Sequence, residues 1–372
     1  MQCTQPHPRC RATTPVPTDD AGVDPDVGSR RECLRLGLVA TAIAVLPGAL
    51  VAGEVQSPLT ITSLRRLATR PTLLRRLGEI DGGEAFSAYL VAYHHAGLLL
   101  HAMVAVPTAP PPPQGYPVLV VNHGFHPDPP RYGITPEGRD WRPGNYYRAV
   151  PAAYAAAGFL VVMPDYRGHN RSQGLEFTTR ALASAYYAED VVVLLAGLRS
   201  IDQADTRNVF MWGHSMGGEV TLLALLGSNI VRGASLWSTT GGGIWERAYR
   251  DARSGDAPAF DSDQVTKPAV DALEREIAAL GPGFELAAID PTRHLAPLSA
   301  PVMLQHARGD QSTDYQWSSR LAAELRRLRK PYAFHSYPGT NHFFAGAEFD
   351  TAVARDVKFF RSLMAPQPVV SR

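Results

Sequence analysis

A chain of 372 residues with 45% hydrophobic and 19% charged residues is long enough for one large α/β domain or two smaller ones around a substantial core. Its formal net charge of +1 excludes a general polyanion-binding role and gives no reason to expect nucleic acid as a partner. The three cysteines, Cys3, Cys10 and Cys33, all lie near the N-terminus, so no disulfide framework or thiol chemistry is expected in the body of the chain.

Residues 1–28 are rich in Pro, Thr and Asp without an apolar period, a composition of disorder. Then Ser29-Arg30-Arg31-Glu32-Cys33-Leu34-Arg35 precedes an apolar stretch over 36–52. A basic pair, an apolar segment and small residues near Ala49 to Gly53 make an export signal the expected reading of 1–53, and the arginine pair resembles a twin-arginine signal. A retained membrane anchor is the alternative, in a stretch marginal for a span and broken by Pro47 and Gly48. The membrane would then be met through this N-terminal segment alone.

Residues 54–372 form the expected catalytic domain. The segment 63–78 carries Leu64, Leu67, Leu74 and Leu77 among five arginines and predicts a short amphipathic helix packed on the domain. Strands are predicted at 86–93 and 98–106, and a short continuous apolar run, 118–121, has the character of a buried parallel strand. It ends in Asn122-His123-Gly124-Phe125. A helix at 151–158, a strand at 159–163 ending in Pro164-Asp165, and a long helix at 181–198 follow. Further strands are predicted at 209–212, 234–237, 301–305 and 332–337, with helices at 318–328 and 355–363. Strands alternating with helices imply an α/β, doubly wound, mostly parallel sheet. About sixty residues interrupt the alternation, so 238–297 is expected to be a small cap or lid inserted in the domain.

The strongest motif is Gly213-His214-Ser215-Met216-Gly217 directly after the apolar run 209–212. A Gly-x-Ser-x-Gly between a strand and a helix is a nucleophile elbow, a turn so tight that the flanking side chains must be absent. A serine hydroxyl needs a general base, and the base needs an orienting carboxylate. In this fold the carboxylate and histidine follow the serine along the chain. Asp310, after the strand at 301–305, and His342, after the strand at 332–337, meet that order. Asp314 is the alternative acid, and His335, inside its predicted strand, is the alternative base. An oxyanion hole needs two amide donors: Met216 follows the nucleophile, and Phe125 lies on the loop after the early strand. His123, His126 and Asp128 raise a metal site, but no further ligand set accompanies them, so no metal and no cofactor is expected. Asp165 and Arg167 are expected to tie loops together through a charge-assisted hydrogen bond.

Asn122-His123-Gly124-Phe125, Asp165-Tyr166-Arg167-Gly168, Gly213-His214-Ser215-Met216-Gly217-Gly218, the Asp310 loop and Gly339-Thr340-Asn341-His342-Phe343 together resemble the α/β-hydrolase superfamily. The resemblance is to the catalytic domain of the prolyl oligopeptidase branch and its dienelactone-hydrolase-like relatives, and runs over about 86–363. It implies a Ser215, Asp310, His342 triad and acyl-enzyme chemistry on a small-molecule ester or a short peptide. Two departures stand out: the stretch before Phe86 is too short for the propeller of the peptidases, and the acid loop reads His-Ala-Arg-Gly-Asp where relatives have His-Gly-x-x-Asp. Ester hydrolysis is therefore the expected activity. The alternatives are a short-peptide peptidase, an acyltransferase, and a catalytically silent binding protein on the same scaffold.

Overall fold

The computed structural model describes residues 59–126, 128–131, 146–240 and 267–366. The expected export signal and residues 241–266 of the expected cap lie outside them. Nine strands form one sheet in the order β1-β2-β3-β5-β4-β6-β7-β8-β9. They are β1 (Arg75–Gly83), β2 (Phe86–His95), β3 (Leu98–Pro107), β4 (Tyr116–Asn122), β5 (Leu160–Asp165), β6 (Ala204–His214), β7 (Val231–Trp237), β8 (Val302–Ala307) and β9 (Tyr332–Tyr337). From β5 to β9 every pairing is parallel, while β1, β2 and β3 add an antiparallel meander at one edge.

The parallel strands are short, continuous apolar runs because both of their faces are covered. Along β4, Val118 and Val120 point into one layer and Leu119 and Val121 into the other, the period of two that a strand imposes. The first layer is built by α1 (Ile61–Leu67), α3 (Ala183–Gly197), α4 (Met216–Gly227) and α6 (Tyr315–Arg327), through side chains such as Leu64, Val191, Val220 and Leu325. The second is built by α2 (Tyr146–Ala156) and α7 (Ala347–Ser362), whose Tyr154 and Phe360 meet Phe159 and Phe210. Helices on both faces of a mostly parallel sheet make the expected doubly wound α/β arrangement.

The segment 63–78 departs from its predicted form. Helix α1 stops at Leu67, and β1 begins at Arg75, so the leucines and arginines belong to two elements. Pro71 disfavours helical geometry at Arg70, and beyond it the chain pairs with β2 at the sheet edge. Leu64 and Leu67 are buried, whereas Leu77 is exposed on β1.

Candidate active site

The parallel strands β4, β6, β7, β8 and β9 end together, and the chemistry-bearing residues lie on the loops that leave these ends, where open parallel sheets place their ligands. Ser215 sits between β6 and α4 with φ 56° and ψ −126°, a conformation rare for a side-chain-bearing residue. Such strain costs of order 1–3 kcal/mol and persists only where the surroundings over-determine it. Those surroundings are specific. The Ser215 amide donates to the Trp237 carbonyl at 3.0 Å, and its own carbonyl accepts from the amides of Gly218 at 2.9 Å and Thr240 at 3.2 Å.

Two glycines make the turn sterically feasible. A Cβ at Gly213 would fall 2.3 Å from the Gly217 carbonyl oxygen, and one at Gly217 would fall 2.1 Å from the Asn122 carbonyl oxygen. The elbow is thus packed backbone-to-backbone against the loop after β4. Asn122 Nδ2 donates to Thr221 Oγ1 at 2.8 Å, and Thr221 donates to the Gly217 carbonyl at 2.7 Å, joining that loop to the first turns of α4.

Asp310 and His342 are brought together by the pairing of β8 with β9. Their loops are stitched by the Arg308 amide on the Tyr337 carbonyl at 2.8 Å and the Gly309 amide on the Gly339 carbonyl at 3.0 Å. His342 Nδ1 donates to Asp310 Oδ2 at 2.9 Å. Asp310 Oδ1 accepts from the amides of Ser312 at 2.8 Å and Thr313 at 3.0 Å, and Thr313 Oγ1 adds a bond to Oδ2 at 3.0 Å. His306 Nε2 lies 3.4 Å from Asp310 Oδ2. Burial alone would raise the Asp310 carboxyl, but the hydrogen bonds of His306 and His342, the charge of His342 and the Thr313 amide hold it well below the usual carboxylate range. A carboxylate ionised across the working pH range fixes the His342 ring with Nε2 directed away from it.

The rival candidates sit elsewhere. Asp314 is the N-cap of α6, its carboxylate accepting from the Gln316 amide at 2.8 Å. His335 lies within β9 beside Gln305, and burial lowers its pKa.

A cavity of about 330 Å³ opens at the elbow. Ser215, Met216 and Phe125 all line it, together with His126, His169, Tyr187 and Glu219. From α5 (Lys267–Ala279), Ala272 reaches its wall. The loop after β5 is held by Arg167, which is almost wholly buried. Its partner is not the expected Asp165 but Asp190 on α3, contacted by Nη2 at 2.6 Å and Nε at 3.0 Å, with Glu189 at 3.3 Å. Asp165 instead accepts from Asn170 at 2.9 Å. Arg167 thus makes the expected charge-assisted tie, with the acid supplied by a helix residue 23 positions further along the chain.

The His123 ring stacks on Tyr166 with centroids 4.1 Å apart, and His126 Nδ1 accepts from the Asp128 amide at 3.0 Å. Among the described residues no three His, Cys, Asp or Glu side chains are grouped to hold a metal ion. One contact that the motif did not announce is His214 Nε2 donating to the His342 carbonyl at 2.9 Å, with the rings 4.5 Å apart. The variable second position of the pentad thus grips the backbone of the histidine loop, a contact between residues 128 positions apart.

The fold and the elbow define a serine hydrolase of the α/β-hydrolase class. The description "Prolyl oligopeptidase family" (Peptidase_S9) matches residues 145–366, more than half of the sequence. The chain belongs to that family. Similarity to a curated protein runs to an uncharacterized peptidase, YtmA, of Bacillus subtilis (strain 168), 23% identical over 265 residues, which span 70% of this chain and 88% of that protein. Among solved structures, acetyl xylan esterase 1 from Thermoanaerobacterium sp. JW/SL YS485 is 16% identical with a TM-score of 0.55, over 81% of this chain and 93% of its own. A Mycobacterium tuberculosis puromycin-hydrolyzing peptidase is 20% identical with a TM-score of 0.54, over 80% of this chain and 40% of its own. At such identities the structural likeness speaks for the fold, and the solved structures that resemble this chain include both esterases and peptidases.

Proposed function

We propose that this protein hydrolyses small carboxylic esters through an acyl-enzyme intermediate, with Ser215 as nucleophile, His342 as general base and Asp310 as its orienting carboxylate. His342 takes the Ser215 proton as the hydroxyl attacks the ester carbonyl. Asp310 holds the imidazole and stabilises the charge it acquires. The Phe125 and Met216 amides receive the oxyanion. His342 then protonates the leaving alcohol, and water repeats the sequence to release the acid.

The observation that carries this reading is the 2.9 Å contact of His342 with Asp310, at the same end of the sheet as Ser215. Ser215 and the two amide-bearing residues on the wall of one cavity support the oxyanion assignment. The cavity's roughly 330 Å³ suits a modest acyl group, delivered from an ester or an amide. Ester chemistry is favoured by the fold-level match over 93% of an acetyl xylan esterase. A cap role for the insertion at 238–297 belongs to the same proposal and is supported, among the described residues, by Ala272 of α5 at the cavity wall. The second reading, cleavage of short peptides, is favoured by the family and by the peptidase name of the Bacillus subtilis relative.

A panel of p-nitrophenyl esters and aminoacyl p-nitroanilides tests the choice. The expected result is ester turnover with the higher kcat/KM, abolished in Ser215→Ala. Anilide turnover with esters the poorer substrates transfers the activity to peptides, and turnover indifferent to Ser215→Ala overturns the mechanism. Export through the Arg30-Arg31 segment belongs to the same proposal. Sequencing the N-terminus of the protein recovered from cells tests it, and an intact arginine pair would count against cleavage. Among the described residues no helix is long and apolar enough to cross a membrane.

A further inference from the structure

Glu219 is the anomaly of the cavity. It stands on α4 four residues after Ser215, one helical turn from the nucleophile, and lines the same cavity although only 9% of its surface is exposed. Its neighbours on that wall include the apolar or aromatic Phe125, Ala181, Ala183, Tyr187 and Met216. Its carboxylate accepts hydrogen bonds from two hydroxyls, Thr240 Oγ1 at a long 3.4 Å and Ser184. A carboxylate offers about four acceptor positions, so acceptor capacity is left for something else. The charged group that acts on it is Asp290, another acid. Arg180 also lines the cavity, but its guanidinium lies over the rings of Phe177 and Tyr186 at 4.9 and 5.7 Å, and its charge acts on Glu276. Among the described residues Glu219 has no cationic partner. Burial pushes its carboxyl up to about 7, so an ionised Glu219 is costly until a cation arrives.

We infer that Glu219 is a specificity-determining residue and that the cavity takes an acyl group bearing an ammonium, which the Glu219 carboxylate binds while Ser215 attacks the carbonyl. The inference rests on the serine-hydrolase reading of Ser215. A ligand ammonium supplies both the missing hydrogen-bond donors and the missing counter-charge, whereas an alkyl chain of the same length supplies neither. Hydrogen bonds to charged groups contribute about 1.5–3 kcal/mol, which corresponds to about 10- to 150-fold in kcat/KM.

The test compares matched p-nitrophenyl esters: the β-alanine ester against the butanoate ester, and the 6-aminohexanoate ester against the heptanoate ester. For the wild-type protein the ammonium ester of at least one pair is expected to have the higher kcat/KM by about 10-fold or more. In Glu219→Gln that ratio falls towards one, and in Glu219→Asp part of it remains. Each ratio is taken within one protein preparation, so a partly folded variant does not distort it. Wild-type protein that is labelled at Ser215 by a fluorophosphonate and hydrolyses the uncharged esters as fast as the ammonium ones overturns the inference alone. A preference that persists unchanged in Glu219→Gln also overturns it. Wild-type protein that is neither labelled nor active on any ester or amide overturns the proposed function instead.

Discussion

The contact between the elbow and the loop after β4 makes Gly217→Ala a sharp perturbation. An ideal Cβ at Gly217 falls 2.1 Å from the Asn122 carbonyl oxygen and 2.5 Å from that of His123. A comfortable carbon–oxygen separation is about 3.3 Å, so the loop and the elbow must part by about 1 Å. Both atoms met are backbone, so no flexible side chain can swing away. Asn122 ends β4, and Phe125 lies three residues further along the loop that must retreat. Overpacking of this kind costs about 1–3 kcal/mol of stability. The larger consequence is for catalysis: the Phe125 amide moves relative to Met216, and a misplacement of about 1 Å in such a site costs about 10²-fold. The assay is kcat on a p-nitrophenyl ester, normalised to sites titrated with a fluorophosphonate, beside chemical unfolding. Gly78→Ala is the control, since a Cβ at Gly78 meets nothing within 4 Å and the residue sits on exposed β1, far along the sheet order from the elbow. Wild-type kcat and stability in Gly217→Ala would refute the claim that this backbone contact sets the oxyanion geometry.

The two aspartates after β8 separate cleanly. Asp310→Asn is expected to lower kcat by about 10⁴-fold with the fold intact, whereas Asp314→Ala is expected to cost about 0.5–2 kcal/mol of stability as a lost helix cap while keeping kcat. Equal kcat losses in the two variants would contradict the acid assignment. Asp356, fully buried on α7, accepts hydrogen bonds from Tyr154, Ser235, Trp237 and Gln305, and burial pushes its carboxyl up to about 7 despite those donors. A carboxyl that binds its proton more tightly when folded stabilises the fold fully below its unfolded pKa and loses that contribution as pH rises through about 7. At 1.36 kcal/mol per pH unit, wild-type protein should lose about 3 kcal/mol more than Asp356→Asn between pH 5 and pH 8. Parallel unfolding free energies for the two proteins across that range would contradict it.

Much of the sheet was legible because its strands are buried on both faces and announce themselves as apolar runs. The runs at 118–121, 159–163 and 301–305 fall within or overlap β4, β5 and β8. The first strand was hidden by its own composition: Leu74 and Leu77 continue the helical spacing of Leu64 and Leu67, and what decides the segment is Pro71 together with a partner strand that no local pattern reveals. The order of β5 before β4 is likewise a tertiary fact. At the site, residue types and chain order pointed to Asp310 and His342, but the different settings of Asp310 and Asp314 are tertiary facts. In sequence both are acids just after a strand, and only the structure shows one against an imidazole and the other capping a helix. Arg167 was visible and its partner was not, because Asp190 sits in the middle of an apolar helix where charge patterning gives no pairing signal. Glu219 carries no motif signal: the structure shows an acid in the first turn of α4, a favourable place for any acid. Its position on a cavity wall depends on the 178–184 segment, which arrives there only through the fold.

Reaction of the purified protein with a fluorophosphonate, followed by intact-mass measurement and peptide mapping, tests the assignment of Ser215 as nucleophile most directly. One phosphonyl group per chain on the peptide containing Ser215, absent in Ser215→Ala, is the predicted result. An adduct on another residue, or equal labelling of folded Ser215→Ala, would contradict it.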